Sequence, residues 1–171
     1  MSLKRWIYGP YSGLGLSVAV VVAGIDQAHK WWMLAVYDIA AKGRVRLTPF
    51  FDLIYTKNTG ISYGLFAQDS MAGQYALAAF AILAVTGFAV WLARAAEGRI
   101  AAIGAGLIMG GAIGNGIDRV LRGGVADFFS FHAYGYYWYI FNIADAAIVA
   151  GVAALLYDSF VLSRKTASKS T

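Results

Sequence analysis

Four long apolar stretches constrain this chain more than any other feature. They run over residues 12–32, 71–93, 100–121 and 138–160. Each approaches the run of about 20 mostly apolar residues that spans a bilayer as a helix. Only 13% of the 171 residues are charged and the mean hydropathy is +0.61, where soluble domains carry roughly a quarter charged residues. The pattern predicts an all-α membrane protein with four transmembrane helices, forming a single domain over residues 1–171. The third stretch holds Gly104, Gly106, Gly110, Gly111, Gly114 and Gly116. In lipid, small residues of this kind let neighbouring helix backbones approach closely.

The connections differ in character. Arg94, Glu97 and Arg99 mark a short polar link between the second and third stretches. The other two links, residues 34–70 and 122–137, are longer and are expected on the opposite side as outer loops. Residues 45–55 are β-branched and aromatic around Pro49, which predicts a small extramembrane β-rich segment. The second outer loop is crowded with aromatics, among them Phe128, Phe129, Phe131, Tyr134 and Trp138, as at a membrane–water interface. Lys4 and Arg5 resemble the basic start of a signal peptide. The apolar run, however, continues into Asp26 and Lys30 without a small-residue cleavage site, so a retained first helix is expected.

The 14 lysines and arginines divide seven to each side of such a bundle. Those on the terminal side lie in tails and a very short loop, where orienting charges act most strongly, so the termini are expected in the cytoplasm. The scattered net charge of +5 argues against nucleic-acid binding. The chain has no cysteine, which removes disulfides and thiolate chemistry. His29 and His132 sit in no metal-binding motif, so neither a metal nor another cofactor is expected.

Asp118 and Asp145 fall in the third and fourth stretches, at comparable depths below the outer surface. An unpaired ionised carboxylate in hydrocarbon is costly, so such acids face a partner or water. Each has an asparagine three residues earlier, Asn115 and Asn142, on the same helix face. Two facing aspartates would share one proton near neutral pH, one able to accept a proton from water and the other to protonate a carbonyl. Structural pairing with a cation, or a relay in a proton-coupled transporter or lipid-binding membrane module, would use the same residues. A serine–lysine pair built on Ser62 and Lys57 lacks a shielded environment.

The stretch from Gly110 through Asn115 and Asp118 to Arg119, then Gly124-Val-Ala-Asp-Phe128 and Phe141-Asn-Ile-Ala-Asp145, resembles the bacterial lipoprotein signal peptidases (signal peptidase II). Asp26-Gln-Ala-His-Lys30 and Asn58-Thr-Gly-Ile-Ser-Tyr-Gly64 agree in order and spacing. Ile61 and Tyr63 stand where the family commonly has alanine and phenylalanine. The resemblance implies a four-helix inner-membrane enzyme, with its site near the periplasmic face. It implies removal of the signal peptide from diacylglyceryl-modified prolipoproteins, by cleavage before the lipidated cysteine. Asp118 and Asp145 are the implied catalytic pair. Asp26, Lys30, Asn58, Gly60, Asn115, Arg119, Asp127 and Asn142 are implied to bind substrate or support the site. Lipidated prolipoproteins and membrane lipids are the expected partners of a monomeric protein.

On the residues alone, Asp26 and Lys30 are four apart and predict an ion pair along the first helix. Arg119 is read as a partner of Asp127, holding the following loop to the helix end, with a substrate carbonyl or lipid phosphate as the alternative. Asn58 is read as a turn residue, whereas the resemblance implies an amide that contacts the substrate backbone or orders the rim of the site. Asn115 and Asn142 join helices, contact the paired acids, or both.

Overall fold

The computed structural model describes residues 8–60 and 68–169, with side chains to residue 160. Helix α1 (Ser12–Trp31) runs into a π-helical turn at Trp32–Val36, followed by the short helix α2 (Ile39–Lys42). Strands β1 (Val45–Thr48) and β2 (Phe51–Asn58) precede helix α3 (Met71–Ala95). Helix α4 (Arg99–Arg122), strands β3 (Val125–Ala133) and β4 (Tyr136–Tyr137), and helix α5 (Ile143–Lys169) complete the chain.

Among the described residues, α3, α4 and the part of α5 up to Phe160 are long and apolar enough to cross a membrane. Helix α1 has the length, but its last turns carry Asp26, Gln27, His29 and Lys30, which lower its hydropathy. Large apolar side chains such as Val20, Phe80, Leu83 and Leu156 point outward, as lipid-facing residues must. Helix α4 is the central element, packed against α1, α3 and α5. Its glycines make this approach possible. A Cβ on Gly106 would lie 2.5 Å from the Gly15 carbonyl oxygen of α1, and one on Gly111 would overlap the Ala144 carbonyl oxygen of α5.

The four strands form an antiparallel sheet in the order β1-β2-β3-β4. Gly123 (φ +66°) and Gly124 (φ +156°) reverse the chain after α4, in conformations that suit residues without a Cβ. Strand β3 then returns along β2, with Thr56 opposite Asp127 and Asn58 opposite Val125. Met33, Ile39, Ala126 and Phe128 bury together beneath the sheet.

The sheet extends beyond the β-rich segment expected from the sequence. Residues 122–137 were expected as an aromatic loop, yet they hold β3 and β4. The fourth apolar stretch also begins as extended chain, with Phe141 bridged to Phe129, and becomes helical from Ile143 rather than 138. Apolar content alone does not separate an extended aromatic segment from a helix. Ile61, Ser62, Tyr63 and Gly64, part of the second motif, lie outside the described residues.

Candidate active site

The end of the bundle that meets the sheet gathers charge into one buried network. Lys30 is fully buried, with its ammonium 2.8 Å from Asp26 and 2.9 Å from Asp118, and it donates to Asn115 Oδ1 at 3.1 Å. The expected Asp26–Lys30 pair is therefore present, and it reaches a second carboxylate. A buried cation needs such compensation, because an unpaired charge at this depth costs several kcal/mol.

Asp118 is also fully buried, and its oxygens are fully engaged. Besides Lys30, Arg122 lies 2.5 Å from Oδ1, Gln27 Nε2 donates to the same oxygen at 3.0 Å, and the Ala126 N–H donates to Oδ2 at 3.0 Å. The last bond ties the final turns of α4 to the first turn of chain in β3. Asp26 does the equivalent for α5, accepting the Ala144 N–H at 3.0 Å. The cluster thus holds the backbone immediately before Asp127 and immediately before Asp145.

Asp145 occupies the first turn of α5 in a reciprocal cap. Its N–H donates to Asn142 Oδ1 at 3.0 Å, and its own Oδ2 accepts the Asn142 N–H at 3.2 Å. This is the capping-box arrangement, which satisfies helix N–H groups otherwise left without partners. The carboxylate also accepts from Asn115 Nδ2 at 2.8 Å. Lys30 and Asn115 stand between Asp145 and Asp118, so the expected direct meeting of those two acids is not what the contacts build.

Asp127 is the acid placed beside Asp145. The Asn142 amide donates to Asp127 Oδ1 at 2.6 Å while the Asn142 backbone holds Asp145. Asn58 Nδ2 donates to the other Asp127 oxygen at 3.1 Å. Burial raises the Asp127 pKa from 3.8 to about 7, reinforced by the charge of Asp145 and opposed by the Asn58 and Asn142 bonds and by Lys30.

A cleft of about 360 Å³ opens beside these residues, lined by Asn58, Gly60, Asn115, Arg119 and Asp145, and lower down by apolar side chains of α3, α4 and α5. Arg119 does not make the expected ion pair with Asp127. It donates to the Gly60 carbonyl at 2.8 Å and to the Asn115 carbonyl at 3.3 Å. Asn58 closes a turn by accepting the Gly60 N–H at 3.0 Å, so its turn-forming role and its contact with an acid coexist. Gln27 and Arg122 belong to the network without having been singled out in the sequence. Arg122 was legible as an i+4 partner of Asp118.

Fold and site together define a class: a helical membrane enzyme with carboxylates gathered at one end of its bundle. A family model described as Signal peptidase (SPase) II matches residues 18–161. The lipoprotein signal peptidase of Nitrobacter hamburgensis is 54% identical over 154 residues, covering 88% of this chain and 92% of that protein. That of Rhodopseudomonas palustris (strain TIE-1) is 51% identical over 152 residues, covering 86% and 92%. A bacterial membrane enzyme solved by the in meso method at 2.3 Å resolution superposes with a TM-score of 0.73 at 27% identity, covering 92% of each chain. The chain belongs to the signal peptidase II family and is a membrane peptidase.

Proposed function

We propose that this protein is an aspartic endopeptidase that removes signal peptides from diacylglyceryl-modified prolipoproteins, and that Asp127 and Asp145 form its catalytic pair. One observation carries the assignment: Asn142 bridges these two carboxyls, and Asp145 lines the cleft. Asp118, the partner expected from the sequence, has its oxygens taken up by Lys30, Arg122, Gln27 and Ala126. It serves as the anchor of the strand that carries Asp127.

Two close carboxyls cannot both ionise readily, so the pair retains one proton near neutral pH. Burial raises the Asp127 pKa to about 7, and in this reading Asp127 carries that proton. Asp145 takes a proton from water as the water oxygen attacks the scissile carbonyl carbon, and Asp127 protonates the carbonyl oxygen. Collapse of the resulting diol breaks the C–N bond. The amine leaves with the proton held by Asp145, and a diol hydroxyl returns its proton to Asp127. Arg119 and Asn58 line the cleft as the groups that hold the substrate backbone.

In this reading α1 is the fourth span, its polar last turns directed at α4 rather than at lipid. The termini are cytoplasmic and the sheet lies at the periplasmic face of the inner membrane. The apolar lower cleft takes the signal peptide from the bilayer, and the protein acts as a monomer among membrane lipids. Membership of a peptidase family favours this reading over a proton relay. The test is a gel-shift assay of the purified protein on a synthetic lipidated prolipoprotein. Cleavage before the lipidated cysteine supports the reading; an intact substrate overturns it.

A further inference from the structure

Gln74 lies one turn into α3 and is 1% exposed, a buried amide in a predominantly apolar helix. Its Nε2 donates to the Thr59 carbonyl at 2.7 Å and to the Gln68 carbonyl at 2.6 Å. Both amide hydrogens are thereby used, and the amide orientation follows, since an oxygen facing two carbonyls would be repelled. Its Oε1 has no hydrogen-bond partner among the described residues. Leaving a buried acceptor unmade costs about 1–3 kcal/mol, so the residue is retained against a penalty.

The two carbonyls belong to chain that is already drawn together. The Gln68 N–H donates to the Thr59 carbonyl at 3.1 Å, and the Thr59 hydroxyl donates to Asp69 at 3.3 Å. Gln74 therefore fastens residue 59 and residue 68 to the helix at one point. Thr59 sits between the two rim residues of the cleft. Asn58 on one side holds Asp127, and Gly60 on the other receives Arg119. Asn58 and Gly60 are further locked to each other by the 3.0 Å turn bond.

We propose that Gln74 is a positioning residue for substrate binding, which fixes the Asn58–Gly60 rim of the cleft from behind through Thr59. This rests on the cleft being the substrate site. With its clamp removed, the rim and the Arg119 it receives lose their fixed place. Misplacement of binding groups raises KM where ground and transition states are affected alike.

The test compares wild type with Gln74→Met, which keeps the volume and removes both donors, on a synthetic lipidated prolipoprotein. The expected result is a KM raised about tenfold with kcat within about threefold. Because the chain has no cysteine of its own, Thr59→Cys with Gln68→Cys can be added to Gln74→Met. Oxidation of that triple variant then joins residue 59 to residue 68 covalently, restoring the link between the two segments that Gln74 holds together. Lower KM in the oxidised than in the reduced triple variant supports the proposal; if Gln74→Met fails to fold, Gln74→Asn, whose amide is one methylene too short to reach both carbonyls, takes its place in the same comparisons. An unchanged KM in folded Gln74→Met, a loss confined to kcat, or a KM insensitive to oxidation overturns it. Wild type that leaves the lipidated substrate intact would instead count against the peptidase reading itself.

Discussion

The Asp118 carboxylate accepts the backbone N–H of Ala126 at 3.0 Å, which fixes the residue directly before Asp127 to the last turns of α4. One buried acid thus sets the position of another that it does not touch through a hydrogen bond of its own. Lys30, Arg122 and Gln27 keep Asp118 in place for that task.

Replacing Asp118 by asparagine removes the carboxylate that pairs with Arg122 and one of the two carboxylates that hold Lys30. Breaking a buried ion pair from one side costs about 3–5 kcal/mol. The thermal midpoint in detergent should fall by many degrees, and the fraction that stays folded should retain cleavage at a reduced rate. Differential scanning measurements paired with a cleavage assay on the same sample check this.

The raised pKa of Asp127 gives a pH dependence of defined sign. Its folded value of about 7 lies above the ordinary 3.8, so the folded state binds the proton more tightly than the unfolded one. The group is neutral and unpenalised below about 4. Its ionisation penalty grows as pH rises from about 4 to about 7 and is constant above. Asp127→Asn should therefore raise the midpoint relative to wild type at pH 8 and give no such gain at pH 4. In wild type, kcat/KM should fall above about pH 7 as the catalytic proton is lost.

Asn58 stabilises the ionised form of Asp127 through its amide hydrogen bond. Asn58→Ala removes that bond and should move the alkaline limb of the kcat/KM profile to higher pH, with lower activity throughout. A limb that moves to lower pH would contradict the role given to the amide.

Gly111→Ala would drive a methyl group into the Ala144 carbonyl of α5. Overpacking of this kind costs about 1–3 kcal/mol. Since Ala144 precedes Asp145, activity should drop further than the midpoint does, a comparison that the same two assays provide.

The long apolar helices were legible because hydropathy reports them directly, and α3 and α4 begin and end within two residues of their expected limits. The β3 strand was not. Its aromatics, Phe128, Phe129 and Phe131, carry the same signal whether they form an interfacial belt or pair with β2. The start of α5 was marked by Asn142 and Asp145 as a capping box, but the apolar run from Trp138 concealed it. Asp118 and Asp145 were joined by matched depth and matched asparagines, both properties of single helices. The rival pairing depends on the reversal at Gly123–Gly124 and on long-range strand register, which bring Asp127 back to Asn142. Local spacing contains neither.

In the proposed pairing Asp127, rather than Asp118, works with Asp145. The most direct measurement is single-turnover cleavage of a lipidated prolipoprotein by folded Asp127→Asn and folded Asp118→Asn, side by side. Asp127→Asn is expected to show no detectable cleavage with its fold intact, and Asp118→Asn slowed but measurable cleavage with a lowered midpoint. Cleavage by Asp127→Asn at the wild-type rate would contradict it.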